Sequence, residues 1–235
     1  MMPNDINDAN SQTGAPEGEL TESLFLEAYK KKEYQKPSLT ADIVVFRRST
    51  AGTEVLLIRR GKHPFLNCWA LPGGFANPNE DVIDAAQREL EEETGIAGVS
   101  MELFGVYGAP GRDPRGWTVS GGFCTLLDSD IKVRAGDDAA DARWCPVNRT
   151  LYNQPLEKAD DSFHQGDTSQ KNSYNAYEIS VKCSPEEALF VRFELIPQRF
   201  GTPRAQVIDS YGFAFDHAQI LADAYLKVMQ EIELC

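Results

Sequence analysis

Cysteine is scarce in this chain of 235 residues, and its five copies, Cys68, Cys124, Cys145, Cys183 and Cys235, are widely spaced with no CxxC pair. With only three histidines beside them, no zinc set of the usual ligand spacing can be assembled, so reduced, partly buried thiols are expected. No apolar run approaches the ~20 residues of a membrane span, which excludes a transmembrane helix. The N-terminus has neither the basic start nor the apolar stretch of a signal peptide, so a cytoplasmic location is expected. Positive charge is short as well: 23 Lys and Arg face 36 Asp and Glu, a formal net charge of −13. That balance argues against sequence-independent attraction to nucleic acid. A polyanionic small molecule would need a local site of opposite sign, supplied by metal ions or a few arginines. No repeat period is present.

What remains is a chain long enough for one substantial domain with additions. Residues 1–20 are polar, and up to Glu19 they hold four acidic residues and no basic one, so a disordered tail is expected. Thr21 followed by Leu24, Phe25 and Ala28 predicts a short amphipathic helix, closed off by Pro37. Aliphatic and β-branched runs predict strands at Leu39 to Arg47, Val55 to Arg59, Met101 to Tyr107, Thr118 to Leu127 and Asp141 to Pro146. The first two are joined by a turn at residues 49–52. A helix is expected from about Glu80 to Thr94, stopped by Gly95. A last helix is expected after Asp216, with Gln219 reaching back in a capping-box arrangement and Leu221, Tyr225, Val228 and Ile232 on one face. Residues 148–210 read least clearly. A polar stretch near Asp160 to Asn175 reads as loop or disorder, and two alternating runs, at Tyr177 to Val181 and Leu189 to Leu195, predict a β-hairpin through Ser184-Pro185-Glu186. This segment is either an embellishment or dimer contact, or a cap over substrate. Strands mixed with helices give an α/β or α+β domain.

The chemistry concentrates in residues 74–96. On a helix Glu89, Glu92 and Glu93 stand at i, i+3 and i+4, which places three carboxylates on one face at a cost in repulsion. Ile83, Ala86 and Leu90 lie on another face and can pack it onto a sheet. An ordinary solvated acidic surface would not explain the preceding Trp69-Ala-Leu-Pro-Gly-Gly-Phe75 loop, nor acidic residues near a helix C-terminus, where the dipole disfavours them. A hard divalent cation would offset both penalties, since Mg²⁺ takes one or two carboxylates plus waters and substrate phosphates. Arg88 can pair with a carboxylate and steady the array.

This segment resembles the Nudix box, G-x5-E-x7-R-E-U-x-E-E-x-G-U with U aliphatic, at every fixed position. The resemblance implies an α/β/α sandwich around a mixed sheet, spanning residues 21–147 and 211–235, with 148–210 inserted before the last helix. It implies Mg²⁺, or Mn²⁺ in its place, as cofactor. It implies that Glu89, Glu92 and Glu93 bind metal, with Gly73 and Gly74 as the metal-side loop, and that Glu89 or a glutamate outside the box activates water. Arg88 with Glu80, and Gly74 with Gly95, are its structural members. Arg88, Glu89, Glu92 and Glu93 are therefore the expected catalytic set. No nucleophilic side chain is needed, and His63, His164 and His217 are read as surface or structural groups.

Outside the box, Lys36-Pro-Ser-Leu-Thr-Ala-Asp42, Arg60-Gly-Lys-His-Pro-Phe65, Asp113-Pro-Arg-Gly116, Ala142-Arg-Trp144 and Phe215-Asp-His-Ala-Gln219 resemble ADP-ribose-cleaving Nudix hydrolases and their regulator relatives, and Pro110 approximately matches a proline that marks them. The expected reaction is ADP-ribose to AMP and ribose 5-phosphate, with other nucleoside diphosphate derivatives or nucleotide triphosphates as alternative substrates. Arg59, Arg60, Arg112, Asp113 and Arg115 are the candidate substrate contacts, against the alternative that they are simply solvated. The expected partner is a small nucleotide, with no nucleic acid and no membrane, and a homodimer stays open. Two competing functions are an ADP-ribose-sensing transcriptional regulator and a non-catalytic ligand-binding protein. The regulator is disfavoured because only the terminal helix follows Asp216, too little for a helix-turn-helix.

Overall fold

The computed structural model describes residues 21–31, 34–50, 52–128, 131–136, 139–152 and 176–234. The tail of residues 1–20 and the polar stretch of residues 160–175 lie outside them. Helix α1 (Glu22–Lys30) belongs to a unit separate from Pro37–Cys235 and is capped by Thr21, whose Oγ1 accepts from Leu24 N at 3.5 Å. No helix among the described residues is long and apolar enough to cross a membrane.

The second unit, Pro37–Cys235, is built on a ten-stranded sheet. Its strands are β1 (Ser38–Ser49), β2 (Gly52–Arg60), β3 (Trp69–Ala70), β4 (Gly73–Phe75), β5 (Glu102–Tyr107), β6 (Thr118–Leu127), β7 (Ala139–Tyr152), β8 (Ala176–Lys182), β9 (Ala188–Ile196) and β10 (Arg204–Tyr211). The main path runs β10-β9-β8-β7-β2-β1-β6-β5, with β3 on β2 and β4 on β1. Among the pairings of the described strands β1–β6 alone is parallel, so the sheet is mixed.

The centre of the sheet is β1, and its sequence explains why. Residues 40–46 are buried without alternation, as expected of a strand covered on both faces. Ala41, Ile43 and Val45 face the helix α2 (Val82–Thr94), with Ala86 and Leu90 against them. Val44 and Phe46 face the helix α3 (His217–Leu234), through Ile220, Leu221 and Ala224. Each fully buried Leu or Ile contributes roughly 1.5–3 kcal/mol by leaving water. The result is the expected α/β/α sandwich. α2 starts two residues later than expected because Asp81 caps it, its Oδ1 accepting from Ile83 N at 3.2 Å, and it ends at Gly95, which is left-handed at φ 75°.

β7 is much longer than its expected core. It pairs with β2 up to Pro146 and with β8 from Val147, so the proline, which has no N–H to donate, falls where the pairing changes hands. The hairpin β8–β9 forms as expected, its turn closed by Cys183 N donating to Glu187 O at 3.0 Å. β10 was not expected, and together the three strands extend the sheet and share its core through Ile179, Val191, Phe193 and Ala205. β10 is tied to α3 by Asp223, which accepts from Ala205 N at 2.8 Å and from the Tyr107 hydroxyl at 3.1 Å. The capping box at α3 does not form: Asp216 is claimed by a guanidinium, and Gln219 donates to Ala205 O at 2.8 Å instead. Cys68, Cys124, Cys145 and Cys183 form no disulfide.

Candidate active site

A cavity of about 400 Å³ opens where β1, β4, the start of α3 and the loop after β5 converge on α2. One wall is the acidic helix. Its rows of side chains are set by Arg88, which donates Nε and Nη2 to the two Glu80 oxygens at 2.8 and 3.0 Å, and Nη1 to Glu89 at 2.7 Å and Glu92 at 3.2 Å. Its Nη2 also reaches Phe75 O at 3.0 Å, so one guanidinium fastens the helix to the loop before it. The Arg88 hydrogen bond, with the Asn77 N–H behind it, holds the Glu80 carboxyl down to about 2, and the same Glu80 contact pushes Arg88 up. Both stay charged across the whole working pH range.

Glu89 and Glu93 line the cavity, while the Glu92 side chain is 58% exposed and turned to solvent beside Arg88. The two glycines of β4 make room for them. Gly73 N donates to Glu93 Oε2 at 2.9 Å, and a Cβ on Gly74 would sit 2.4 Å from the Glu89 Cδ. No ready-made cage of three carboxylates, imidazoles or thiolates exists among the described residues. The donor set nevertheless fits a hard divalent cation: two cavity-facing carboxylates, all-oxygen, with no imidazole or sulfur among the box ligands, leaving positions for waters and phosphate.

The opposite wall is cationic and aromatic. Arg60 stacks over Phe215 with Cζ 4.8 Å from the ring centroid, and Arg115 lies over Phe75 at 4.7 Å and Phe215 at 5.3 Å. Among the described residues the Arg60 guanidinium forms no ion pair with a carboxylate, and its Nε donates to Pro64 O at 2.8 Å. Burial, and after it the neighbouring Arg115 charge, lower the Arg60 pKa against the opposing pull of Glu93 and Asp113. Arg115 is partly committed, with bonds to both Asp113 oxygens.

Beneath the cavity lies a buried charge network. Arg112 donates to Asp216 at 2.8 and 2.7 Å and to Asp42 at 3.0 Å, and Ser120 Oγ donates to Asp42 at 2.6 Å. His217 Nδ1 accepts from Leu71 N at 2.8 Å, leaving Nε2 3.5 Å from Asp42. Burial pushes the Asp42 carboxyl up, but His217, Ser120 and Arg112 outweigh it and bring it to about 2.

Of the expected substrate contacts, the structure brings Arg60, Arg112, Asp113 and Arg115 to the cavity and leaves Arg59 out. Neighbours on a strand point to opposite faces, so Arg59 pairs with Glu187 at 3.0 Å while Arg60 turns inward. Arg112 lines the wall but is spent on two aspartates. His63 and His217 also line the cavity, and His164 lies outside the described residues. No described residue of 148–210 does so, and residues 153–175 of that segment lie outside the described residues. Thr40, Asp42, Phe215 and His217 were missed as individual site residues, although the segments that carry them were the only signal pointing there.

Comparison with known proteins agrees with this geometry. The family model described as the NUDIX domain matches residues 36–165. The ADP-ribose pyrophosphatase of Methanocaldococcus jannaschii is 39% identical over 120 residues, covering 51% of this chain and 68% of that one. The ADPR responsive transcriptional repressor NtrR of Acinetobacter baylyi is 30% identical over 171 residues, covering 68% of this chain and 66% of its own. The chain thus spans about two thirds of each relative. In structure, a MutT/nudix family protein from Enterococcus faecalis superposes with a TM-score of 0.61 at 28% identity, over 89% of this chain and 70% of that one.

Proposed function

The chain belongs to the Nudix hydrolase family, and from that membership we propose that it hydrolyses the diphosphate link of a nucleoside diphosphate derivative, ADP-ribose first, giving AMP and ribose 5-phosphate. The observation that carries this reading is the cavity itself, with Glu89 and Glu93 on one wall and Arg60, Arg115 and Phe215 facing them. A diphosphate has the charge to neutralise Arg60 and Arg115, and an aromatic or sugar ring fits beside Phe215. Glu89, Glu93 and Gly73 would hold Mg²⁺ or Mn²⁺, which when bound lowers the pKa of water and offsets charge on the phosphoryl oxygens. Glu89, which lines the cavity, or a glutamate outside the box would take the proton of the attacking water. The Glu89 carboxylate accepts from Arg88 at 2.7 Å, and those of Asp42 and Asp113 are likewise engaged, by Arg112, Ser120 and Arg115. Arg88 keeps the helix face in register with the loop, a positioning role.

Purified protein with Mg²⁺ should convert ADP-ribose to AMP, and Glu93→Gln should lower turnover by at least about 10²-fold, as the loss of a charged group at the reacting phosphate does. Turnover unchanged by that substitution would sink the assignment. A panel of ADP-ribose, NADH, nucleotide sugars, diadenosine polyphosphates and oxidised nucleotide triphosphates ranks the substrates.

A sensing role is the second reading, favoured by the similarity to a protein named as an ADPR responsive repressor. It predicts tight ADP-ribose binding without turnover, together with a DNA mobility shift relieved by ADP-ribose. The net charge of −13 speaks against the DNA step.

A further inference from the structure

Thr40 is 6% exposed, lines the cavity, and its Oγ1 has no hydrogen-bond partner. Such groups are rare in folded proteins, since burying an unpaired hydroxyl is destabilising, and each one calls for a partner that the bare chain does not contain. Its surroundings show why no protein group serves. Ser120, opposite Thr40 on β6, spends its hydroxyl on Asp42 at 2.6 Å. Phe75, opposite on β4, has no polar side-chain atom to offer. Thr118, diagonal to Thr40 on the same face of β6, carries a second buried hydroxyl without a partner. Thr40 and Thr118 therefore both carry buried hydroxyls without a hydrogen-bond partner on this stretch of the sheet, and of the two Thr40 lines the cavity.

The chemistry of this stretch differs from that of the walls. Charge is concentrated in Glu89 and Glu93 on one side and in Arg60 and Arg115 on the other, where cations and phosphates belong. A threonine hydroxyl donates one hydrogen bond and accepts two, which matches a neutral group of the same capacity. In a nucleoside diphosphate sugar that group is a sugar hydroxyl. We propose that Thr40 is a specificity-determining residue whose buried hydroxyl hydrogen-bonds a sugar hydroxyl of the substrate. This rests on the reading of the cavity as a nucleoside diphosphate site. A buried polar group built to pair with a substrate hydroxyl also rejects analogues that lack it, because it is then left unpaired.

The test is calorimetric titration of the full-length wild type, Thr40→Val and Thr40→Ser with ADP-ribose and with AMP, in a chelator so that no turnover occurs, beside thermal melts of the ligand-free proteins. Thr40→Val keeps the shape and removes the hydroxyl. The expected result is an ADP-ribose Kd about tenfold weaker for Thr40→Val, within about threefold of wild type for Thr40→Ser, and a ligand-free Tm for Thr40→Val equal to or above that of wild type. A parallel loss with AMP places the partner on the adenosine ribose, and a loss with ADP-ribose alone places it on the distal ribose. Unchanged ADP-ribose affinity in Thr40→Val, or a lowered ligand-free Tm with the affinity retained, overturns the proposal, since the hydroxyl then serves the fold through bound water. Wild-type turnover with Mg²⁺ reads the other question separately: no hydrolysis of ADP-ribose there overturns the proposed function and this inference with it.

Discussion

Gly74→Ala should disable the enzyme without unfolding it. Gly74 has no positive φ, so alanine is compatible with its backbone. Its methyl, however, would fall 2.4 Å from Glu89 Cδ and 2.5 and 2.6 Å from the carboxylate oxygens, where ordinary contact begins at 3.4 Å. The carboxylate must therefore retreat by about 1 Å, a misplacement that costs on the order of 10²-fold in rate, or about 2.7 kcal/mol of barrier. The retreat also strains the 2.7 Å bond from Arg88, because that guanidinium is fixed by four other contacts. Only the far end of a flexible side chain is displaced, so the melting temperature should stay within a few degrees of wild type. Gly73→Ala is the contrast: its Cβ would meet Ala41 O at 2.2 Å in the neighbouring strand and its φ is +153°, so folding itself should suffer. The assay is AMP release from ADP-ribose at saturating Mg²⁺, with a melt on the same samples. A Gly74→Ala kcat within threefold of wild type, in a protein of unchanged Tm, would refute the argument that this glycine exists to seat Glu89.

Arg112→Ala should lower stability by about 3 kcal/mol, because it strands buried Asp42 and half-buried Asp216 without their cation, and Arg112→Lys should restore little of it. A urea midpoint that moves by less than the equivalent of 1 kcal/mol would show that the network is not structural. Asp42 supplies a pH signature: its carboxyl lies at about 2 in the folded chain against an ordinary 3.8, so its contribution is present above pH 4 and is lost as pH falls towards 2. The stability gap between wild type and Asp42→Asn should shrink by ~2 kcal/mol between pH 5 and pH 2, and a constant gap would contradict it.

The box and the central strands were legible because their signals are local. Glu89, Glu92 and Glu93 announce a shared helix face by spacing alone, and β1 declares its burial by the apolar run from Ile43 to Phe46. Ile83, Ala86 and Leu90 likewise faced the sheet as expected. β10 was not legible because a bulge between Val207 and Asp209 breaks its alternation. β3 and β4 are too short to show a period, and their pairing with β2 and β1 is visible only in space. The capping box at α3 failed as an expectation for a related reason. Asp216 has the right local neighbours, but a bidentate Arg112, 104 residues away, binds its carboxylate more strongly than a helix N–H can.

That last contact also explains why the catalytic and recognition parts of the site differ so much in legibility. The acidic wall comes from one continuous helix and the loop before it, so its composition is written in order along the chain. The opposite wall is assembled from Arg60 at the end of β2, residues 112–115 after β5, and residues 215–217 at the start of α3. Arg112 is the tie that brings these together: it joins the loop to β1 through Asp42 and to α3 through Asp216, and so sets where Arg115 meets Phe215. A residue of this kind acts on the substrate only through others, and it can be found only once the fold has brought Asp42 and Asp216 within reach of one guanidinium.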